Sequence, residues 1–237
     1  MDRVRVMAKI ALKGFKDVVR RKCEPQQLGI GTKSGVQKIS MMMRLLYDCC
    51  QKQPEAMDTH DEWTFLKLDI KNAHNSFHRR AAMEALTAHP ELHPLLHLFQ
   101  VTYAYSPRIV IKDTSQLSGF KVICLAPEAG FQGHPLTSYV FGLVVDPILK
   151  KFDSRLGSGV IRAIQDDMSI AGDSRVVTEM IGELVSDFES VGLHVATGRG
   201  KNCYVCPSGN HTKPFPEFVQ VDSFESEEGN THVGLEL

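Results

Sequence analysis

Residues 159–172, GVIRAIQDDMSIAG, are two short apolar arms around Gln165-Asp166-Asp167. The pattern predicts a β-hairpin with an acidic tip. Adjacent carboxylates on a tight turn repel each other and resist joint ionisation. A divalent cation is the simplest group to offset that repulsion, although Asp-Asp pairs in turns are commonly plain solvated turn residues. Upstream, residues 63–70, WTFLKLDI, read as a strand with Leu66, Leu68 and Ile70 on one face. It ends at a lone carboxylate, Asp69. A strand end and a hairpin tip that bring Asp69, Asp166 and Asp167 together make a hard-oxygen site suited to Mg²⁺. Two such ions can activate an attacking oxygen and stabilise a leaving one in phosphoryl transfer.

Working outward, residues 2–22 read as one amphipathic helix with Val4, Met7, Ala11, Phe15 and Val18 on its apolar stripe. A Gly-rich loop, EPQQLGIGTKSG, follows, and then a helix from about residue 35 to 51 with Val36, Ile39, Met43 and Leu46 inward. The triplet Met41–Met43 reads as core filler. Residues 52–62 are polar and read as a loop. Helices are expected at 75–88 and 91–104, and RIVIKD and FKVICL around TSQLSG predict a second hairpin. GFQGHP is a turn. Residues 136–152 are the clearest buried helix, with Pro135 at its first turn. Residues 174–191 form another, with Ser174 as the expected cap and Gly192 as the stop. Residues 207–237 read as loop or tail. No internal repeat is evident.

The chain has 237 residues, enough for a sizeable core, with 43% hydrophobic and 23% charged residues. That balance excludes wholesale disorder. A net charge of -1 excludes a nucleic-acid binder that acts through bulk charge, while a local basic groove stays open. No apolar run is long enough to span a bilayer, so no membrane partner is expected. Lys9 and Lys13 interrupt the first apolar stretch, which reads as a helix and not a signal peptide. Six cysteines in no regular framework then imply reduced thiols in an intracellular protein, cytoplasmic or nuclear.

Five segments, taken in order, resemble the reverse transcriptase domain of non-LTR retrotransposons and group II intron-type enzymes over roughly residues 3–206. QQLGIGTKSGVQKI (26–39) is similar to that family's finger-to-palm segment. FLKLDIKNAHNSFHRR (65–80) is similar to its first palm motif, and GFQGHPLTSYVFGLVVDPIL (130–149) to its second. AIQDDMSIAG (163–172) and VGLHVATGRGKNCYV (191–205) are similar to the third and fourth. The resemblance implies an α/β (α+β) polymerase palm: a small antiparallel sheet backed by helices, with partial fingers and no thumb. It divides the chain into partial fingers and connecting helices (1–62), palm (63–206) and an irregular tail (207–237).

The resemblance also implies an activity, metal-dependent, RNA-templated deoxynucleotidyl transfer, with RNA template, DNA primer and deoxynucleoside triphosphate as partners. Asp69, Asp166 and the Ile70 carbonyl would hold Mg²⁺ or Mn²⁺, with Asp167 as a third supporting carboxylate. His74 falls at the position that screens the sugar 2′ carbon. Gln132 and Gly133 fall where nucleotide and template are contacted. Lys201, or Arg199, falls near a lysine that gives a proton to the leaving pyrophosphate. Arg79, with Arg80 and His78, either touches template phosphates or is a solvated helix face.

The pattern departs from the family at four places. His74 stands in place of Phe or Tyr at the sugar gate, and a satisfied structural histidine is the alternative reading. His134 stands in Gln132-Gly133-His134-Pro135 where the family has Asp, removing a carboxylate from the start of the next helix. Ile164 replaces the aromatic before the paired Asp. Ala196 replaces the Asn of the fourth motif, whose Lys is displaced by about two residues. The triphosphate-gripping finger residues and a helical thumb are also expected to be missing. A palm without them would hold primer and template weakly, because backbone contacts supply most of the affinity. A catalytically inactive remnant that binds nucleic acid or protein weakly is therefore the competing reading. Cys203, Cys206 and His211 match three ligands of a zinc knuckle, but Pro216 stands where the fourth belongs; ordinary thiols are the alternative. Tyr103 and Tyr105 read as core aromatics. The GxG at residues 29–31 is weak as a phosphate loop because no strand precedes it.

Overall fold

The computed structural model describes residues 2–52, 62–104, 108–125, 128, 130–196, 201–207 and 219–220. At its centre lies β1 (Trp63–Lys71), a nine-residue strand buried on both faces for most of its length. Alternation sends Leu66, Leu68 and Ile70 to one face and Trp63, Phe65, Lys67 and Asp69 to the other. The first face meets the main core, built on α7 (Pro135–Asp153) and α8 (Ser174–Ser190). The second meets a smaller cluster of Ile39, Met43 and Tyr47 from α3 (Gly35–Lys52) with Trp63, Phe65, Ala171 and Val205. Lys67 and Asp69 are on this second face, past the residues that α3 covers.

Beside β1 runs β5 (Asp167–Asp173), antiparallel, in a register that pairs Leu66 with Ile170 and Asp69 with Asp167. β4 (Val160–Ile164) pairs with β5 as the hairpin expected from its sequence. On the other side of β1, β6 (His194–Val195) pairs at Ile70 and Lys71, and β7 (Cys203–Val205) pairs at Phe65–Lys67. β8 (Val219–Gln220) adds to β7 in parallel. Among the described residues the order is β4-β5-β1-β7-β8, with β6 beside β1. A second, two-stranded sheet is made by β2 (Arg108–Lys112) and β3 (Phe120–Leu125). The architecture is thus mixed α/β, with antiparallel sheets backed by helices, broadly compatible with a palm.

α7 is buried nearly all round, from Leu136 to Phe152, as a helix apolar on every side must be. It packs against α1 (Asp2–Lys13), α2 (Lys16–Cys23), α5 (Arg79–Thr87) and α8. The N-terminal helices therefore share one core with the sheet, through Leu12, Val19 and Cys23.

Several local expectations need correction. The single helix over 2–22 is two, broken at Gly14-Phe15, and its buried stripe runs through Ala8, Leu12 and Val19 while Ala11 is exposed. Glycine's weak helix propensity accounts for the break. The helix over 75–88 is also two, α4 (Ala73–Ser76) and α5, because Phe77 and His78 are extended. This turns Phe77 into the core. The helix over 91–104 is α6 (His93–Tyr103), entered through a 3₁₀ turn at Pro90–Leu92. α8 is capped by Asp173 and not by Ser174: the Asp173 carboxylate accepts from the amides of Arg175 and Val176. Gly192, at φ +84°, ends that helix as expected. Only Met43 of the methionine triplet is core; Met41 is exposed. Part of the tail is strand, since Val219 and Gln220 pair with β7. Tyr105, Arg199, His211 and Pro216 lie outside the described residues.

Candidate functional site

β1 carries Asp69 to the end of the sheet, where the chain must turn sharply. Asn72, in the left-handed region at φ 50°, makes that turn and opens α4. A short polar side chain tolerates this conformation better than most. Across the sheet end, the β4–β5 tip turns at Gln165, also left-handed at φ 56°. A non-glycine residue held there costs about 1 kcal/mol or more and persists only where its surroundings fix it. Those surroundings are explicit. Gln27 is fully buried, and its Oε1 accepts from the amides of Gln165 (2.8 Å) and Gly29 (2.9 Å). Its Nε2 donates to the Gln165 carbonyl at 3.0 Å. The backbone of residues 26–28 bonds to Ala163 at the outer edge of β4. Position 29 must be glycine: a Cβ there would stand 2.7 Å from the Gln165 nitrogen.

The Gln165 side chain extends the lock. Its Nε2 donates to the Gly29 carbonyl, and its Oε1 lies 3.0 Å from His74 Nε2. With the amide in that orientation, His74 carries its proton on Nε2. The His74 ring also packs on Phe141, centroids 5.1 Å apart. It is thus tied to the hairpin tip on one side and to α7 on the other.

Beside His74 lies a cavity of about 280 Å³. Asp69, Ile70, His74, Gln132, Asp166 and Lys201 all line it, together with Lys71, Asn72 and Asn75. The Gln132 amide is held by Asn75 Oδ1 at 3.1 Å. Gly133 sits beside it in the turn at φ +78° but does not line the cavity. Arg79 also lies outside the lining: its guanidinium stacks over Tyr103 at 5.4 Å and donates to the Tyr103 carbonyl. Tyr103 is buried, as expected of a core aromatic. His134 begins α7 with no side-chain cap, and its ring meets Tyr103 edge-on.

The three carboxylates stand at one end of the sheet but in different electrostatic settings. Asp69 is mostly buried, and its Oδ2 lies 3.0 Å from Lys201 Nζ. Asp167 is exposed, outside the cavity, with Oδ1 3.5 Å from Lys67 Nζ. Asp166 is half-buried, and its carboxyl pKa is raised, first by desolvation and further by the charges of Asp167 and Asp69. The ammonium of Lys201 is held in its charged form, chiefly by its hydrogen bond to Asp69 and also by the fields of Asp167 and Asp166.

Lys201 reaches Asp69 because Asn202 anchors the chain there. Asn202 is buried; its Oδ1 accepts from the Asp69 amide at 3.0 Å and its Nδ2 donates to the Ala196 carbonyl. The Ala196 amide in turn donates to the Asp69 carbonyl at 2.8 Å. Asn202, Gln27 and Gln165 were not singled out as site residues from the sequence. Their available signals were an Asn just before the apolar run CYVC, a Gln just before a glycine turn, and a Gln inside an otherwise apolar hairpin.

As a test of fit for a metal, Asp69, Asp166 and the Ile70 carbonyl are hard oxygen donors. Mg²⁺ is commonly bound through one or two carboxylates with water or phosphate completing its shell, and that donor chemistry suits this cavity. Among the described residues, no group of three or more His, Cys, Asp or Glu side chains is arranged to hold a metal ion. Cys203 and Cys206 are both buried, and burial raises both thiol pKa values, Cys203 to about 11. Cys206 is within 3.3 Å of the Thr64 hydroxyl.

No protein-family model matches the sequence, and no curated protein matches it. Solved structures do. The apo telomerase of Candida tropicalis truncated from its C-terminal domain matches at 13% identity and TM-score 0.53, over 90% of this chain and 41% of that one. The telomerase of Candida albicans, in complex with a TWJ fragment of telomeric RNA, matches at 14% identity and TM-score 0.54, over 90% of this chain and 35% of that one. Apo telomerase from Candida tropicalis matches at 11% identity and TM-score 0.54, over 86% and 36%. The chain spans less than half the length of these proteins. At such identities the likeness is one of fold alone: a distant, partial structural resemblance to these telomerase structures.

Proposed function

We propose that this chain is a reverse-transcriptase-like palm that keeps the fold but does not transfer nucleotides on its own, and binds nucleic acid at most weakly. The observation that carries this reading is the Lys201–Asp69 ion pair. An ammonium on Asp69 satisfies the charge that a metal would otherwise neutralise, and Lys67 does the same for Asp167. Phosphoryl transfer needs positioned groups as well as charge, and here two of the three carboxylates are committed to lysines.

A second reading is RNA-templated deoxynucleotidyl transfer onto a DNA primer. It is favoured by the meeting of Asp69, Asp166, Ile70, His74, Gln132 and Lys201 around one cavity. In that reading Asp69, Asp166 and the Ile70 carbonyl would hold Mg²⁺, which supplies charge neutralisation for a triphosphate. His74 would face the sugar, and Gln132, with Gly133, would position the nucleotide.

Primer extension on an RNA template with Mg²⁺ or Mn²⁺ separates the two. The control is the Asp166→Asn, Asp167→Asn double variant, with circular dichroism showing that both proteins fold. We expect no extension above the control, and fluorescence anisotropy with a labelled primer–template to give weak, salt-sensitive binding. Extension by the wild type alone would establish the second reading and end the first.

A further inference from the structure

We infer that Lys201 is a built-in substitute for a divalent cation at Asp69, and that it sets how tightly the cavity takes such an ion. The inference rests on the reading above, because it supplies a cause for the chain's silence. The ammonium lies 3.0 Å from Asp69 Oδ2, so it uses lone pairs that a hard cation would need. Its position is built. Asn202 ties the backbone next to Lys201 to the Asp69 amide and to Ala196, which places the lysine stem at the rim of the cavity. Asp166 and Ile70 line the same cavity.

The structure provides its own control. Lys67 pairs with Asp167 at 3.5 Å, also on the α3 face of β1, but neither residue lines the cavity. Removing Lys67 changes net charge as much as removing Lys201 and leaves Asp69 occupied. A general charge effect would therefore treat the two variants alike, while competition at Asp69 would separate them.

The test is Mn²⁺ titration of the full chain at low ionic strength, reading free Mn²⁺ by electron paramagnetic resonance. Low salt matters because Lys201 is largely exposed and its pair is screened. Lys201→Met should bind Mn²⁺ about tenfold more tightly than wild type, an effect of the size expected for one nearby charge at a wet surface. Lys67→Met should stay within about twofold. Adding Asp69→Asn to Lys201→Met should abolish the gain. Equal affinity in wild type and Lys201→Met, or an equal gain in Lys67→Met, overturns the inference. Should Lys201→Met fail to give the wild-type circular dichroism spectrum, Lys201→Gln carries the same comparison. Extension of a primer by wild type would instead overturn the proposed silence, whatever the titration gives.

Discussion

Two β-hairpins in this chain start from similar sequence and end in opposite circumstances. In β4–β5, Ile161, Ala163, Met168, Ile170 and Ala171 are all buried, and both edges are engaged, one by β1 and the other by residues 26–28. In β2–β3, Val110, Ile111, Phe120, Val122 and Ile123 are each about half exposed, and the turn residue Leu117 is fully so. Among the described strands its two members pair only with each other. Both read as apolar strands about a polar turn. A two-stranded ribbon is marginal alone and needs a third strand or a helix against it. The difference between the hairpins is therefore in their neighbours: the β4–β5 tip is bonded to Gln27 and Gly29 from a distant part of the chain.

The largest effect should come from testing that difference in the core. Ile170 is fully buried between Leu66 and Ile161, so Ile170→Ala should destabilise the fold by about 2–5 kcal/mol through lost burial and the cavity left behind. Ile123 is exposed on the other hairpin, and Ile123→Ala should fall within about 0.5 kcal/mol. Urea denaturation of both variants measures the contrast. Similar losses at the two positions would mean that β2–β3 is covered in solution and the comparison fails.

A smaller effect is expected at the tip itself. Gln27→Ala removes the group that accepts from Gln165 and Gly29 and donates to the Gln165 carbonyl. Leaving these partly buried backbone groups unpaired should cost about 1–3 kcal/mol. Hydrogen exchange should show faster exchange at the Gln165 amide than at Ile170 in this variant. Equal protection at both would mean that the hairpin holds its turn without Gln27.

Much of the framework was legible beforehand because periodicity reports burial directly. The β1 strand, both hairpins, α3, α7 and α8 follow from apolar spacing alone. The positions of Asp69 and Asp166 followed from strand-end and turn arguments. What escaped was set by partners distant in sequence. No local pattern says that Gln27 will meet Gln165, 138 residues away, or that Asn202 will meet Asp69, 133 residues away. The breaks at Gly14 and at Phe77–His78 escaped for a related reason: a stripe that continues in sequence does not show that the chain turns to seat Phe77. The lysine partners of Asp69 and Asp167 depend on the register of β1 against β5 and β7, which the sequence leaves open.

The smallest effect is the one most specific to the site. Burial raises the Asp166 pKa, with the charges of Asp167 and Asp69 adding to it. A carboxyl whose folded pKa lies above its unfolded value binds protons more tightly when folded. Its ionisation therefore opposes folding at neutral pH, and the opposition fades as pH falls through the folded pKa. Asp166→Asn keeps the shape and removes the charge, so it should raise Tm by about 2 °C at pH 7. The gain should shrink as pH falls through the raised Asp166 pKa, where the wild-type carboxyl takes up its proton. Asp167→Asn makes the natural contrast, since that carboxylate is exposed and paired with Lys67; losing a surface pair should leave Tm unchanged or slightly lower. Thermal melts of the three proteins at pH 7 and pH 4 decide it. A gain in Asp166→Asn that persists unchanged at pH 4 would assign the effect to packing and would remove the case for a strained charge at the hairpin tip.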